Sequence, residues 1–277
     1  MYYSNGSYLS DNTLTISITD RKIPFELTLS ELEKITGRLI DENFSDDETE
    51  GSLRITLTRG SGPRGIGIPC EVSPTLFVTV SPSNGIHADS PLSLFVSSIW
   101  RNESSPLSRI KSLDYLDNIL ARDEAVQNGA TEAVMLNTKG EVACITIGNI
   151  FIVNSHGEIF TPPLETGILP GITRRHVLDL CRKNDIPIQE KPIFLGDLEN
   201  AAEIFVTNSI MGIRKAYLFG HSPSDKQSYC VSDAIMKLYK KFSSDVLQNA
   251  TKVDRNVLFY YQPPKQEQKP SEFKCVI

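Results

Sequence analysis

Polar and apolar residues alternate along Thr13-Leu14-Thr15-Ile16-Ser17-Ile18, the period-two pattern of a half-buried strand. Ahead of it, Tyr2-Tyr3 leads into Ser4-Asn5-Gly6-Ser7, and Asn-Gly marks a hairpin turn. The period then changes. Thr28-Leu29-Ser30-Glu31 spells a capping box, and Leu32, Ile35, Leu39 and Ile40 recur at helical spacing. This predicts an amphipathic helix over 29–42, followed by an acidic loop from Phe44 to Gly51. Leu53, Ile55 and Leu57 alternate with Arg54, Thr56 and Thr58, a strand with two unlike faces. After a Gly-rich loop comes a second strand over 75–80, and the apolar run Leu92 to Val96 leads towards Trp100.

The polar stretch Arg101 to Pro106 reads as a connector. Beyond Lys111, the residues Leu113, Leu116, Ile119, Leu120 and Val126 predict an amphipathic helix ending at Gly129. Strands follow at 132–137, 142–146 and 149–153, with turns at Lys139-Gly140 and Ser155-His156-Gly157. Thr173 is expected to cap a helix running to about Lys183, and Ser232 one that carries Ile235, Leu238, Tyr239 and Phe242. Short strands are expected at 204–207 and 216–219, and a polar, Pro-rich tail from Pro263. There is no internal repeat. The expected architecture is mixed α/β in two lobes joined near 101–110: a small domain over 1–106, a larger one over 107–262, and the tail 263–277.

A chain of 277 residues accommodates one large domain or two ordinary ones. With 28 basic and 34 acidic residues the formal net charge is -6, which argues against a broad nucleic-acid surface but leaves room for a local basic pocket. No apolar run reaches the roughly 18–20 residues of a bilayer span, and the N-terminus has neither a basic start nor an apolar core, so no membrane segment or secretory signal is expected. Cys70, Cys144, Cys181, Cys230 and Cys275 are odd in number and lack CxxC spacing, which indicates neither a disulfide framework nor a zinc site and points to a reducing cytoplasm. Cys275 stands third from the end, whereas a prenylation signal needs its cysteine fourth. His87, His156, His176 and His221 are scattered without metal spacing, and GxSxG and HExxH are absent.

Three segments carry candidate chemistry. Gly60-Ser61-Gly62-Pro63-Arg64-Gly65 spells GxGxxG after a strand, but Pro63 and the following Ile66-Gly67-Ile68-Pro69 start no helix, so the dinucleotide reading is set aside. The loop is either plain surface or a place where Arg59 and Arg64 present guanidinium forks to a carboxylate. Gly167-Ile168-Leu169-Pro170-Gly171-Ile172-Thr173-Arg174 leads glycines into a helix start, either an ordinary capped helix or an anion site. Lys111, with Asp114 and Tyr115 nearby, is either solvated surface or a Schiff-base amine.

Taken together, these segments resemble the class IV aminotransferases. These fold-type IV pyridoxal-phosphate enzymes include branched-chain aminotransferase, D-amino acid aminotransferase and aminodeoxychorismate lyase. Lys111 to Ala121 resembles their KSLNYLxNxLA stretch, Gly167 to Arg174 their GILxGITR, and Arg54 to Gly65 their RxxxTRGxGxRG. Asn149-Ile150-Phe151 with Thr161-Pro162-Pro163, and Glu203 to Ser209, resemble two further stretches in the family's order and spacing over about 52–220.

The resemblance implies a two-lobed fold like that of D-amino acid aminotransferase, a pyridoxal 5'-phosphate cofactor, a small-molecule substrate and a homodimer with active sites near its interface. Lys111 matches the lysine that carries the cofactor, Tyr115 a residue near the cofactor ring oxygen, and Ile172, Thr173 and Ser209 the phosphate site. Arg64 matches an arginine that holds the substrate carboxylate in the D-amino acid enzymes, and Arg59 and Arg64 are expected to hold substrate carboxylates here. The D-amino acid enzymes carry His where Ile66 stands, and RGxGxRG with GILPGITR and TNS leans towards aminodeoxychorismate lyase, of the folate pathway. An aminotransferase for branched-chain or other amino acids is the alternative, and a degenerate, non-catalytic homologue the second.

Two departures stand out. Cys144 occupies the place of the family's glutamate that pairs with the cofactor's pyridine nitrogen. After Asp20-Arg21 the chain runs through Lys22-Ile23-Pro24-Phe25 straight towards the next family helix, without the family's intervening strand and its phosphate-binding arginine.

Overall fold

The structure is a computed structural model that describes residues 17–18, 21–22, 28–44, 51–68, 73–82, 90–220 and 231–248. The Asn5-Gly6 turn, most of the strand expected at 13–18, the acidic loop beyond Phe44 and the tail lie outside the described residues. So do residues 19–20 and 23–27, which flank the expected gap after Arg21, and Cys70, His87, His221, Cys230 and Cys275.

β1 (Ser17–Ile18) and β2 (Arg21–Lys22) pair antiparallel. α1 (Leu29–Asn43) begins at the expected capping box: Glu31 N–H donates to Thr28 Oγ1 at 3.2 Å, and Thr28 N–H to Glu31 Oε2 at 2.8 Å. β3 (Gly51–Thr58) and β4 (Thr75–Pro82) form an antiparallel pair in which Leu53, Ile55 and Leu57 stand opposite Val80, Val78 and Leu76. That register puts all six apolar side chains on one face, and α1 packs against β4. A lone hairpin needs such a cover to persist. In the loop after β3 no helix starts, as expected. Gly60 has φ +86, and a Cβ there would lie 1.8 Å from the Ser73 carbonyl oxygen.

The larger sheet contains eight strands: β5 (Leu92–Val96), β6 (Glu132–Leu136), β7 (Val142–Ile145), β8 (Asn149–Val153), β9 (Ile159–Thr161), β10 (Ile188–Glu190), β11 (Glu203–Asn208) and β12 (Gly212–Leu218). Their order is β10-β9-β8-β11-β12-β5-β6-β7, with β10–β9, β12–β5 and β5–β6 parallel and the rest antiparallel. β5 precedes the 101–110 connector in sequence yet hydrogen-bonds inside this sheet, between β12 and β6. The sheet curls until β7 meets β8 through an Ile145–Gly148 bridge. Leu94, Val134, Val142, Ile145, Ile150 and Val206 form its main core. A second core stacks Phe151 on Phe205 with ring centroids 4.7 Å apart and joins Val177, Cys181 and Ile235 from α3 (Ile172–Lys183) and α5 (Val231–Gln248).

Three helix expectations need correction. α2 (Leu116–Gln127) buries Asn118, Ala121 and Ala125, whereas Leu113, Leu116, Ile119, Leu120 and Val126 are 46–62% exposed. The small residues let the helix sit close on β6, so the large ones point away. At α3 the N-cap is Gly171, and Thr173 lies buried inside the first turn. At α5, Ser232 is already helical, and the cap is the carboxylate of Glu203, which accepts from Val231 N–H at 2.8 Å and Ser232 N–H at 3.2 Å.

Hydrogen bonds hold three carboxyls below their usual range: Glu31 through Thr28, Glu103 through Thr138, and Glu124 through Ser97. A carboxyl with a depressed folded pKa stabilises fully above its unfolded pKa, about 4.3 for glutamate, and loses that contribution as pH falls through the folded value. The melting temperature is therefore expected to hold down to about pH 5 and to fall below about pH 4.3. Glu124→Gln should flatten that fall in circular-dichroism melts, and an unchanged acid profile would contradict the assignment.

Candidate functional site

One end of the larger sheet gathers the end of β7, the start of β8, the end of β11 and the N-terminus of α3. Asn149 stands opposite Thr207 in the β8–β11 register. Its side-chain amide donates to Leu169 O at 3.0 Å, which draws in the loop before α3. Gly171 rests on this amide so closely that a Cβ would lie 2.1 Å from Asn149 Oδ1. At Gly148 a Cβ would lie 2.4 Å from the Thr207 carbonyl oxygen. Side chains are thus excluded at both places, and the backbone forms a cradle. Asn208 closes one side: its amide donates to Ile147 O at 3.2 Å and its Oδ1 accepts from Ile210 and Met211, which holds the turn bearing the exposed Ser209.

Two features of the cradle call for an anion. The first-turn N–H groups at Ile172, Thr173 and Arg174 have no intrahelical acceptor, and Gly171 supplies no capping side chain. The hydroxyl of Thr207 is buried with no hydrogen-bond partner among the described residues. Arg174, by contrast, fastens α3 to the sheet: its guanidinium donates to Pro162 O at 2.8 Å and to Glu190 at 2.7 Å.

A buried polar ring joins α2 to the same end. Asn118 donates to Thr146 O at 2.6 Å, the Thr146 hydroxyl donates to Glu132 at 2.5 Å, and Arg122 pairs with Glu132. Glu132 is fully buried, and Ala133 N–H supplies a further donor at 2.7 Å. Tyr115 is the N-cap of α2, and Lys111 stands one turn earlier with Nζ 3.4 Å from the Tyr115 hydroxyl. The connector leading to Lys111 is pinned as well. Arg101 donates to Gly167 O and to Ser108 O, and Glu103 accepts from the Thr138 hydroxyl at 2.7 Å. Gly167, with φ +83, packs on Glu103 so tightly that a Cβ would lie 2.5 Å from Glu103 Cα.

Cys144 lies in β7, two residues before Thr146, buried beside Ala143 and Ile168. Burial pushes its thiol pKa up, against a smaller opposing effect of Arg101, so the thiol is neutral. Arg59 and Arg64 stand apart on the loop after β3, and no hydrogen bond or ion pair among the described residues joins them to Lys111 or the α3 start. No group of three or more His, Cys, Asp or Glu among the described residues is arranged for a metal. The sequence motifs contain Asn118, Asn149 and Thr207 but gave them no role, and Glu132 lay outside them. For Asn118 a signal existed, since 118, 121 and 125 form a stripe of small or polar residues at helical spacing.

This arrangement can be compared with known proteins. Residues 15–217 match the family described as amino-transferase class IV. The chain belongs to that family. It is 34% identical over 192 residues to a protein of Methanocaldococcus jannaschii assigned as a branched-chain-amino-acid aminotransferase, covering 69% of this chain and 65% of that one. It is 32% identical over 196 residues to the D-alanine aminotransferase of Bacillus licheniformis, covering 68% and 64%. The chain thus spans slightly under two thirds of the length of these relatives. Among solved structures, one from Legionella pneumophila assigned as a 4-amino-4-deoxychorismate lyase superposes with a TM-score of 0.69 at 26% identity, covering 79% of each chain. The branched-chain amino acid aminotransferase of Thermobaculum terrenum in its PLP-form superposes with a TM-score of 0.68 at 25% identity, covering 79% of this chain and 72% of that one. The class IV family is pyridoxal-phosphate-dependent, and the curled mixed α/β sheet is its fold-type IV architecture. No helix among the described residues is long and apolar enough to cross a membrane.

Proposed function

We propose that the protein is a pyridoxal-phosphate enzyme that cleaves 4-amino-4-deoxychorismate to 4-aminobenzoate and pyruvate, a step of folate synthesis. The observation that carries the cofactor reading is the cradle at Gly148, Gly171 and Thr207, whose orphaned hydroxyl and free helix N–H groups fit a phosphate. Backbone N–H groups of Ile172 and Thr173, with Ser209 and Thr207, would hold that phosphate. Lys111 would carry the cofactor and move a proton at the substrate's α-carbon. Tyr115 would face the cofactor ring oxygen, and Arg59 and Arg64 would bind substrate carboxylates. Bound pyridoxal phosphate supplies an electron sink for bonds at that carbon. The buried thiols Cys144 and Cys181, the latter pushed up to about 12 by burial, suit a reducing compartment such as the cytoplasm.

Cys144 bears on the choice of reaction. As a neutral thiol it offers the pyridine nitrogen no carboxylate. Elimination that forms an aromatic ring has a driving force of its own, whereas transamination leans fully on the electron sink. Cys144→Glu is therefore expected to raise transamination more than 4-aminobenzoate formation. The deciding assay supplies aminodeoxychorismate and, separately, leucine or D-alanine with 2-oxoglutarate. Release of 4-aminobenzoate and pyruvate supports the lyase. Transamination without 4-aminobenzoate would make the aminotransferase the correct reading, and no cofactor binding with no turnover would make the chain a non-catalytic homologue.

A homodimer fits the exposed row of Leu113, Leu116, Ile119 and Leu120, placed beside Lys111. Ile119→Glu should shift the mass measured by light scattering from two chains to one. An unchanged dimer would put the interface elsewhere.

A further inference from the structure

A cavity of about 480 Å³ opens at the other end of the larger sheet, lined by Ile152, Phe160, Lys191, Phe194 and Asp197 among others. β8 leads from the phosphate cradle at Asn149 towards the cavity rim at Asn154, just past the strand's end, a span of about 17 Å at strand rise. The cavity therefore shares no residue with the candidate active site. Its walls are set by the fold. Ile193 and Leu198, fully or almost fully buried, anchor the segment that bears Phe194 and Asp197, and Val142 N–H donates to Ile193 O at 2.7 Å.

The chemistry centres on Lys191. Its backbone N–H donates to Thr161 O at 3.1 Å, which fixes the start of the side chain. Its Nζ lies 3.6 Å from the centroid of the buried Phe160 ring. A ring face attracts the charge but accepts none of the three N–H donors in the manner of an oxygen. No ion pair or hydrogen bond to Nζ exists among the described residues. Beside it, Phe194 leaves half its surface exposed, and Ile152 adds apolar wall. Asp197 is the nearby acid, its Oδ2 accepting from Phe194 N–H at 2.9 Å.

We infer that this cavity is a second ligand site, and that it takes a small aromatic monocarboxylate. A carboxylate supplies the acceptors that Lys191 lacks, in the charge-assisted form. A flat ring matches the Phe194 and Ile152 walls, and the volume falls within the ~300–1,000 Å³ of ordinary ligand pockets. Asp197 on the same wall repels a second negative charge, which selects a monoanion over a dicarboxylate or a phosphate. The inference does not depend on which reaction Lys111 serves.

The test titrates the full chain with benzoate by calorimetry, with ligand-observed NMR in parallel. A saturable event is expected that persists in Arg64→Gln, which removes a carboxylate-binding fork of the candidate active site, and the variants below are compared in that background. Lys191→Met, which keeps the stem and removes the charge, should weaken it by about 10-fold or more. Lys191→Arg should retain it, and Phe194→Ala should weaken it without touching the charge. Benzamide and terephthalate should each bind at least about 10-fold more weakly than benzoate, the first for want of charge and the second for excess of it. Lys111→Ala should leave benzoate binding unchanged. Absence of saturable binding to the folded wild-type chain, binding that survives Lys191→Met, or loss of binding in Lys111→Ala would each overturn the proposal.

Discussion

Lys111→Ala is expected to remove the lysine-linked visible absorbance of the cofactor-loaded protein and to lower turnover by at least ~10²–10⁴-fold, the scale of a lost general acid–base group. The melting curve should barely move. Lys111 is exposed and lies in the connector before α2, outside any helix or strand, so truncation uncovers little apolar area. Tyr115→Phe gives the graded comparison. It keeps the ring that Nζ approaches at 4.8 Å and deletes the hydroxyl 3.4 Å away, so it should cost much less than loss of the amine. A Lys111→Ala protein with its chromophore and turnover intact would remove Lys111 from the chemistry.

Gly171→Ala is expected to cost the protein most of its grip on the cofactor. The new methyl would lie 2.1 Å from Asn149 Oδ1, and Asn149 has little room to yield. It is buried, its amide is tied to Leu169 O, and its backbone is in register with β11. Displacing it pulls the α3 start away from Thr207. Loss of one charged hydrogen bond is worth about 1.5–3 kcal/mol, so affinity should drop roughly 10- to 150-fold. Gly148→Ala meets a backbone oxygen at 2.4 Å and should cost stability as well. Thr207→Val separates cradle from scaffold. It removes a hydroxyl that has no partner among the described residues, so stability of the cofactor-free protein should hold or rise. Cofactor affinity, read by equilibrium dialysis, should still fall about 2- to 10-fold. Unchanged retention in both Gly171→Ala and Thr207→Val would mean that the phosphate sits elsewhere.

Elements whose signals are local were legible in the sequence. The Thr28 capping box set the start of α1, alternation set β3 and β4, and dense apolar runs between turn residues set β6, β7 and β8. Faces were less legible than elements. In α2 the large apolar residues marked a helix, but burial fell to Ala121 and Ala125, because the distance to β6 and not residue size decides which stripe goes inward. The cap of α3 moved from Thr173 to Gly171 because capping follows backbone conformation, and Gly171 is the last extended residue, with φ -63 and ψ 138. Long-range ties were invisible. Arg101 reaches Gly167 across 66 positions, and Glu203 reaches Val231 across 28. The family motifs named Lys111, Ile172 and Thr173 as members of one site; of the residues that tie those segments to one sheet end, Asn118 and Asn149 stand in the motifs with no role attached, and Glu132 is defined by packing alone.

The central claim is that Lys111 and the Gly171 cradle serve one pyridoxal-phosphate site. Borohydride reduction of the cofactor-loaded protein, followed by peptide mapping, tests it most directly. A pyridoxyl label is expected on Lys111, lost in Lys111→Ala and reduced in Gly171→Ala at limiting cofactor. A label on Lys139 or Lys215, or an equal label in Gly171→Ala at limiting cofactor, would contradict it.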